Sequence, residues 1–426
     1  MNKTREIKEI YNLTRLDNGL RIISEKIPHV RSISLGFWIG KGSRDESENE
    51  KGITHLIEHL LFKGTPIRDA KQIAIEFDEI GAEFNAFTSK EYICLYCKFL
   101  DQHLTKVIAI LSDVIINSNF LKKDVNLEKN VVLEEIKSKN DAPSSIIIDL
   151  FNNSLFGKHP LSFPVLGLQS TVKSLTRDQI FNFYKDSISN NNIVIASVGN
   201  IEHEFLLNQI KNYLKIPTIF IQERKKFSVT PRKKIDIIKR DIEQTHICYG
   251  TLGVDREDED RFTLSVLLNI LGGSMSSRLF QEVREKRGLA YSIFSYHLTF
   301  MDIGSIIIYA GTSTKNVENI IKIIKKEIDG IKKGKIDKEE LERSKNNIKG
   351  HLVLGLEETN TRMIRIGKSI LSRNKVLSIN EILKRIDDVS LNDVIRVTNT
   401  LFHEDSMVLT AVGPITYKQL EKAYFA

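Results

Sequence analysis

The chain repeats itself. At an offset of about 213, half of its 426 residues, three segments of the first half align in order with three of the second. YCKFLDQHLTKVI (96–108) aligns with YAGTSTKNVENII (309–321), and LEKN (127–130) with LERS (341–344). IVIASVGNI (193–201) aligns with MVLTAVGPI (407–415), setting Val198 on Val412 and Gly199 on Gly413. One such match arises by chance; three in the same order do not. The fold has to be a plan that one chain can carry out twice.

Each half supplies the same ingredients. Alternating runs such as SISLGFWIG (32–40) and AEFNAFTSKEYICLYCKFL (82–100) predict antiparallel strands. Longer segments with helical apolar spacing follow, as in LTKVIAILSDVI (104–115) and VENIIKIIKKEIDGI (317–331). There is no regular βαβ alternation. The expected class is α+β, two homologous domains, each a mostly antiparallel sheet with helices packed on it. The expected boundaries are 1–214 for the first domain and 235–426 for the second. The join at 215–234 holds Pro217, Pro231 and the densest basic stretch, Lys225-Lys226 to Arg232-Lys233-Lys234.

Composition removes several classes. A hydrophobic content of 41% with 21 Phe excludes a disordered chain. No apolar run approaches the roughly 18 residues of a membrane-spanning helix. The opening MNKTREIKEIYNLTRLDNGL lacks the apolar core of a signal peptide and is too acidic for a mitochondrial transit sequence. A cytoplasmic protein without a membrane partner is expected. The net charge of +7 comes from Lys and Arg mixed with Asp and Glu, as in KKEIDGIKKGKIDKEELERSK (325–345), which reads as solvated helix faces rather than a nucleic-acid surface. Cys94 and Cys97 have CxxC spacing but fall in a strand-like run. Residues i and i+3 of a strand face opposite sides, so the pair is expected to be buried and structural.

The segment GITHLIEHLLFKGT (52–65) carries the chemistry. His55, Glu58 and His59 spell H-x-x-E-H, the inverted form of the H-E-x-x-H zinc motif. On a helix, i and i+4 share a face, so both imidazoles reach one metal ion. Glu58 lies on the same side and is placed to take a proton from a water at the metal. Leu56, Ile57, Leu60 and Leu61 would bury the rest of the helix. A catalytic zinc needs a third protein ligand. The best source is LEKNVVLEEIKSKN (127–140), where Glu128 and Glu135 stand two helical turns apart on one face as an expected buried carboxylate pair. Glu134, about 100° round the helix from its neighbour, is expected in solvent.

HLIEH followed by a glutamate 76 residues later, Glu135, resembles the insulinase/pitrilysin metallopeptidases, and most of all the subgroup containing the mitochondrial processing peptidase β subunit. The resemblance covers nearly the whole chain through LDNGLRI (16–22), EHLLFKGT (58–65), NAFTSKEYICLY (85–96), EKNVVLEEI (128–136), HPLSFPVLG (159–167) and GGSMSSRLFQEVREKRGLAY (272–291). It implies that His55, His59 and Glu135 bind one zinc ion per chain. Glu58 would be the general base, and Glu128 would fix His55 or His59 through the free ring nitrogen. It further implies that Arg284 and Tyr291 hydrogen-bond the substrate backbone and the developing oxyanion, and that Asn85 and Ala86 belong to the strand that receives the peptide. Carried over by the offset, His55, Glu58 and His59 fall on Leu268, Leu271 and Gly272, so the second half is expected to be metal-free.

The implied function is a zinc endopeptidase acting on peptides or unfolded protein segments. A non-catalytic assembly subunit or a peptide-binding chaperone of the same fold is the alternative. Relatives that fuse four such domains close as a clamshell. A chain with two domains is therefore expected to pair, as a homodimer or as a heterodimer with an inactive homologue.

Overall fold

The computed structural model describes residues 9–216 and 224–425. Within the join, Pro217 and residues 218–223 lie outside the described residues. The chain divides into two compact units, residues 1–137, 163–224 and 354–380 in the first and residues 138–162, 225–353 and 381–426 in the second.

The first unit is built on a six-stranded sheet. Its strands are β1 (Tyr11–Arg15), β2 (Arg21–Lys26), β3 (Ser32–Ile39), β4 (Glu83–Thr88), β5 (Ile93–Leu100) and β6 (Ile193–Gly199), in the order β1-β2-β6-β3-β5-β4. Only the β2–β6 pair is parallel. The second unit has a five-stranded sheet of β7 (Lys234–Lys239), β8 (Thr245–Gly253), β9 (Ala290–Thr299), β10 (Gly304–Thr312) and β11 (Val408–Gly413), in the order β7-β11-β8-β10-β9. Again one pair, β7–β11, is parallel. Dropping β1 makes the two orders identical. The duplication read from the sequence is thus a duplication of topology, and the α+β class with two mostly antiparallel sheets holds.

Each sheet is covered on both faces, so its central strands are apolar throughout rather than alternating. β3 is buried along nearly its whole length. One face of the first sheet packs on helices of its own half, including α1 (Ile53–Leu61), α2 (Leu104–Asn117) and α3 (Lys122–Asp141). The two cysteines of β5 divide accordingly, Cys97 on that face and Cys94 on the other. Both are free, and burial pushes the Cys97 thiol up to about 12; on opposite faces of the sheet the two do not converge on one site.

The helices on the opposite faces were not legible in the half-length repeat. In the second unit, α4 (Pro143–Phe156) lays Ile147, Phe151 and Leu155 against Cys248, Val408 and Val412. It comes from the first half of the sequence. The second helix of the second unit that matters here is α5 (Asp260–Gly272), packed on β9. In the first unit the far face is covered by α6 (Thr359–Arg373), from the second half, whose Met363, Ile366 and Ile370 meet Trp38, Val194 and Ala196. The exchange is reciprocal and uses equivalent helices. Each sheet has two apolar faces, and the helix that covers the far one comes from the other half of the sequence.

The approach of α6 to the sheet is close enough to require glycine. A Cβ at Gly367 would lie 2.2 Å from Trp38 Nε1, and Trp38 is fully buried and boxed by Phe87 and Tyr92.

α1 is held at its start by a residue outside it. Gly52 begins the helix at φ +98°, where a side chain would be strained, and provides no cap of its own. The buried Glu46 does so instead, accepting from Gly52 N and Thr54 N, each at 2.9 Å. Burial pushes its carboxyl up to about 7 against the pull of those two amides. Lys51 closes the turn by donating to the Glu46 carbonyl oxygen at 2.6 Å, its ammonium 4.5 Å from the Phe163 ring centre. Among the described residues no single helix is long and apolar enough to cross a membrane.

Two stability outcomes follow. Gly367→Ala overpacks the Trp38 contact and should cost about 1–3 kcal/mol, seen as a lower thermal midpoint. Gly350→Ala, with nothing within 4 Å of the added Cβ, should not lower it. Glu46→Gln places an amide donor against one of two backbone N–H groups and should cost about 1–3 kcal/mol, with metal binding weakened in parallel because α1 frays.

Candidate metal centre

α1 buries Ile53, Leu56, Ile57, Leu60 and Leu61, each worth about 1.5–3 kcal/mol on full burial, and that fixes its rotation. The faces left over carry His55, Glu58 and His59. The two imidazole rings stand 4.7 Å apart, centre to centre. α3 supplies the carboxylates. Its buried stripe reads Val125, Glu128, Val132, Ile136, with Glu128 the one ionisable member.

Glu135 reaches both rings. Its Oε2 lies 3.7 Å from His55 Nε2 and 3.6 Å from His59 Nε2. Tetrahedral zinc, with bonds of about 2.0–2.2 Å, separates its ligand atoms by roughly 3.4 Å. Two imidazole nitrogens and one carboxylate oxygen at these separations therefore fit such an ion and leave its fourth position open. Among the described residues this is the one set of three His, Cys, Asp or Glu whose ligand atoms converge in this way. Among its described residues the second unit has no counterpart: Leu268, Leu271 and Gly272 sit in α5, all buried.

The expected buried carboxylate pair is half right. Glu128 is 4% exposed at its side chain, but Glu135 is 45% exposed. Glu135 lies at the edge of the buried stripe, where it faces the rings from the solvent side. Glu134 is exposed and pairs with Lys137 at 2.6 Å.

Of the two histidines that Glu128 could hold, it meets His59. Glu128 Oε2 lies 3.1 Å from His59 Nδ1, the position of an acceptor for an Nδ1 proton, and Nε2 is the nitrogen turned to Glu135. The other oxygen, Oε1, lies 2.7 Å from Lys63 Nζ. Glu58 is half-buried. Burial raises its carboxyl above the ordinary value, while a hydrogen bond donated by the Thr88 hydroxyl and the nearby His59 pull it down. A carboxylate so placed, next to but not within the ligand cluster, has the position of a base.

Thr88 ends β4, the edge strand of the first sheet, and β4 also carries Asn85 and Ala86. The Ala86 N–H is taken by Asn85 Oδ1 at 2.8 Å. Arg284 and Tyr291 belong to the second unit. Tyr291, on the edge strand β9, is 79% exposed, and the Arg284 guanidinium lies over its ring at 4.7 Å. Lys63 and Thr88 escaped the sequence reading. Lys63 follows His59 by one helical turn, a usable signal; Thr88 comes from a strand with no spacing relation to the motif.

Comparison with known proteins agrees with this geometry. Residues 21–168 match the family model described as insulinase (peptidase family M16), and residues 174–348 match the model for the peptidase M16 inactive domain. The chain is 40% identical over 93% of its length to the uncharacterized zinc protease YmxG of Bacillus subtilis, covering 97% of that protein. It is 39% identical over 97% of its length to an uncharacterized zinc protease of Streptomyces coelicolor, covering 92% of it. In fold it is similar to the crystal structure of a protease from Helicobacter pylori, with a TM-score of 0.87 and 22% identity over 95% of this chain and 100% of that one. With two imidazoles and a carboxylate converging in its first unit, and relatives named as zinc proteases matching more than nine-tenths of its length, the chain belongs to the insulinase family, peptidase family M16.

Proposed function

We propose that the protein is a zinc-dependent endopeptidase that hydrolyses peptides or unfolded segments, with one zinc per chain held by His55, His59 and Glu135. The observation that carries this reading is the convergence of those three side chains beside a fourth, Glu58, that is not needed as a ligand. When bound, zinc lowers the pKa of a coordinated water and polarises a peptide carbonyl. The chain's own residues do the rest. Glu58 takes the proton of the attacking water and hands it to the leaving amine, with Thr88 fixing which carboxylate oxygen faces the reaction. Glu128 keeps the His59 ring in the tautomer that offers Nε2.

β4 is suited to receive the substrate. It is an unpaired edge, and an extended peptide adds to such an edge through backbone bonds without demanding a particular sequence. Asn85 and Ala86 would form that contact, with the Asn85 side chain giving up the Ala86 N–H. The strand leads to Thr88, and so to Glu58. Arg284 and Tyr291 are assigned the donors that stabilise the oxygen that becomes negative, a contribution worth a few kcal/mol in such reactions. We assign them to a second copy of the chain, so that a homodimer holds two composite sites.

Metal analysis of the purified protein should find about one zinc per chain, the number of such ligand sets. Glu58→Gln should retain that zinc and lose about 10²–10⁴-fold in turnover of a quenched peptide. Full activity without metal, or an active Gln variant, would refute the assignment. Mixing Glu58→Gln chains with Tyr291→Phe chains, each nearly inactive, should restore activity through mixed dimers. No recovery despite demonstrated subunit exchange would place the pair's action within one chain.

A further inference from the structure

We infer that Lys63 is a positioning residue of the metal centre, holding Glu128 in the one orientation that serves His59. The inference rests on the reading of His55, His59 and Glu135 as the zinc ligands. It assigns Lys63 a task that neither the H-x-x-E-H motif nor the ligand set contains.

The geometry divides the Glu128 carboxylate between two partners. Oε1 faces Lys63 Nζ at 2.7 Å and Oε2 faces His59 Nδ1 at 3.1 Å. Glu128 stands in the buried stripe of α3, between Val125 and Val132, where a carboxylate without a cation is strongly disfavoured. A neutral imidazole offers one hydrogen bond and no counter-charge. Lys63 supplies the charge, and from a place that suits a cation, just past the C-terminal end of α1, the negative end of the helix dipole. The Lys63 contact is an ion pair without hydrogen-bond geometry, so it holds Oε1 by charge and leaves Oε2 to His59. Holding the carboxylate there holds the ring, because His59 Nδ1 faces Oε2 and the opposite nitrogen is the one turned to Glu135. The contact that Lys63 makes at the site is with Glu128, so its effect on metal would pass through that carboxylate.

A purely structural pin between the end of α1 and α3 would make the same ion pair, and the two roles separate experimentally. In the full-length, metal-depleted protein, zinc affinity is measured by competition with a chromophoric chelator, alongside the thermal midpoint. Lys63→Met should weaken zinc binding about 10-fold, the scale of outer partners of metal-bound histidines. Lys63→Arg should restore most of the loss. Lys63→Met combined with Glu128→Gln should bind zinc no more weakly than Glu128→Gln alone, since the lysine acts only through that carboxylate. Should the Met variant not fold, Lys63→Gln, which keeps the stem and a donor but lacks the charge, carries the same expectation.

Zinc affinity within twofold of wild type in the Lys63 variants, with only the thermal midpoint lowered, would overturn the inference and leave the pin. Additive losses in the double variant would overturn it as well. His59→Ala tests the reading beneath it: unchanged zinc binding in that variant would mean that the metal site itself is misassigned, an outcome distinct from failure of the Lys63 arm.

Discussion

Five fully buried apolar side chains on a helix of nine residues set the directions of two imidazoles, and everything at the site follows from that packing. A helix this short has little stability of its own. Its rotation is borrowed from the core of the first unit, and its start from Glu46, six residues before the N-cap Gly52. The polar face is therefore a residue of what the core does not take. His55, itself buried, and the half-buried Glu58 and His59 occupy the face that those five apolar side chains leave.

The second unit shows what the same position becomes when the core does take it. α5 answers α1, and Leu268 and Leu271 are buried where His55 and Glu58 have their equivalents. The third equivalent is more telling. A Cβ at Gly272, aligned with His59, would lie 2.8 Å from the backbone nitrogen of Ser295 on β9. The second copy has lost the ligands and also the space for them, because helix and sheet have closed together. Restoring a metal site there would require moving a strand. The duplication conserves topology down to the single parallel pair in each sheet while it trades one chemical face for packing.

Sequence carried much of this and stopped at identifiable places. The repeat, the strands and the H-x-x-E-H helix are local patterns, and local patterns survive in the structure: β2 shifted by 213 residues lands on β7 residue for residue. The CxxC pair separates to opposite faces of β5 as strand geometry demands. The exchange of α4 and α6 was invisible because periodicity tells that a helix has an apolar face and not which sheet it covers. The degree of burial at Glu135 was invisible for a related reason. Seven residues bring a side chain back to nearly the same face, but the drift of about 20° per heptad is enough to carry it from the buried stripe to its rim. Lys63 and Thr88 are defined by the partner they touch in three dimensions, and no spacing rule names a partner.

The two carboxylates of α3 show how position alone divides labour between identical groups. Glu128 is out of water, so a charge there has to be met within the protein, and it faces Lys63 as an ion pair through one oxygen and His59 through the other. Glu135, two turns on and half in solvent, has no such commitment beyond the imidazole nitrogens it faces. An accessible position suits the ligand role proposed for Glu135, because a divalent cation would reach it from water. Under that proposal, exchanging the two environments would bury the ligand carboxylate and expose the positioning one. The order along the helix, buried partner first and accessible carboxylate second, is the order that the proposed division of labour calls for.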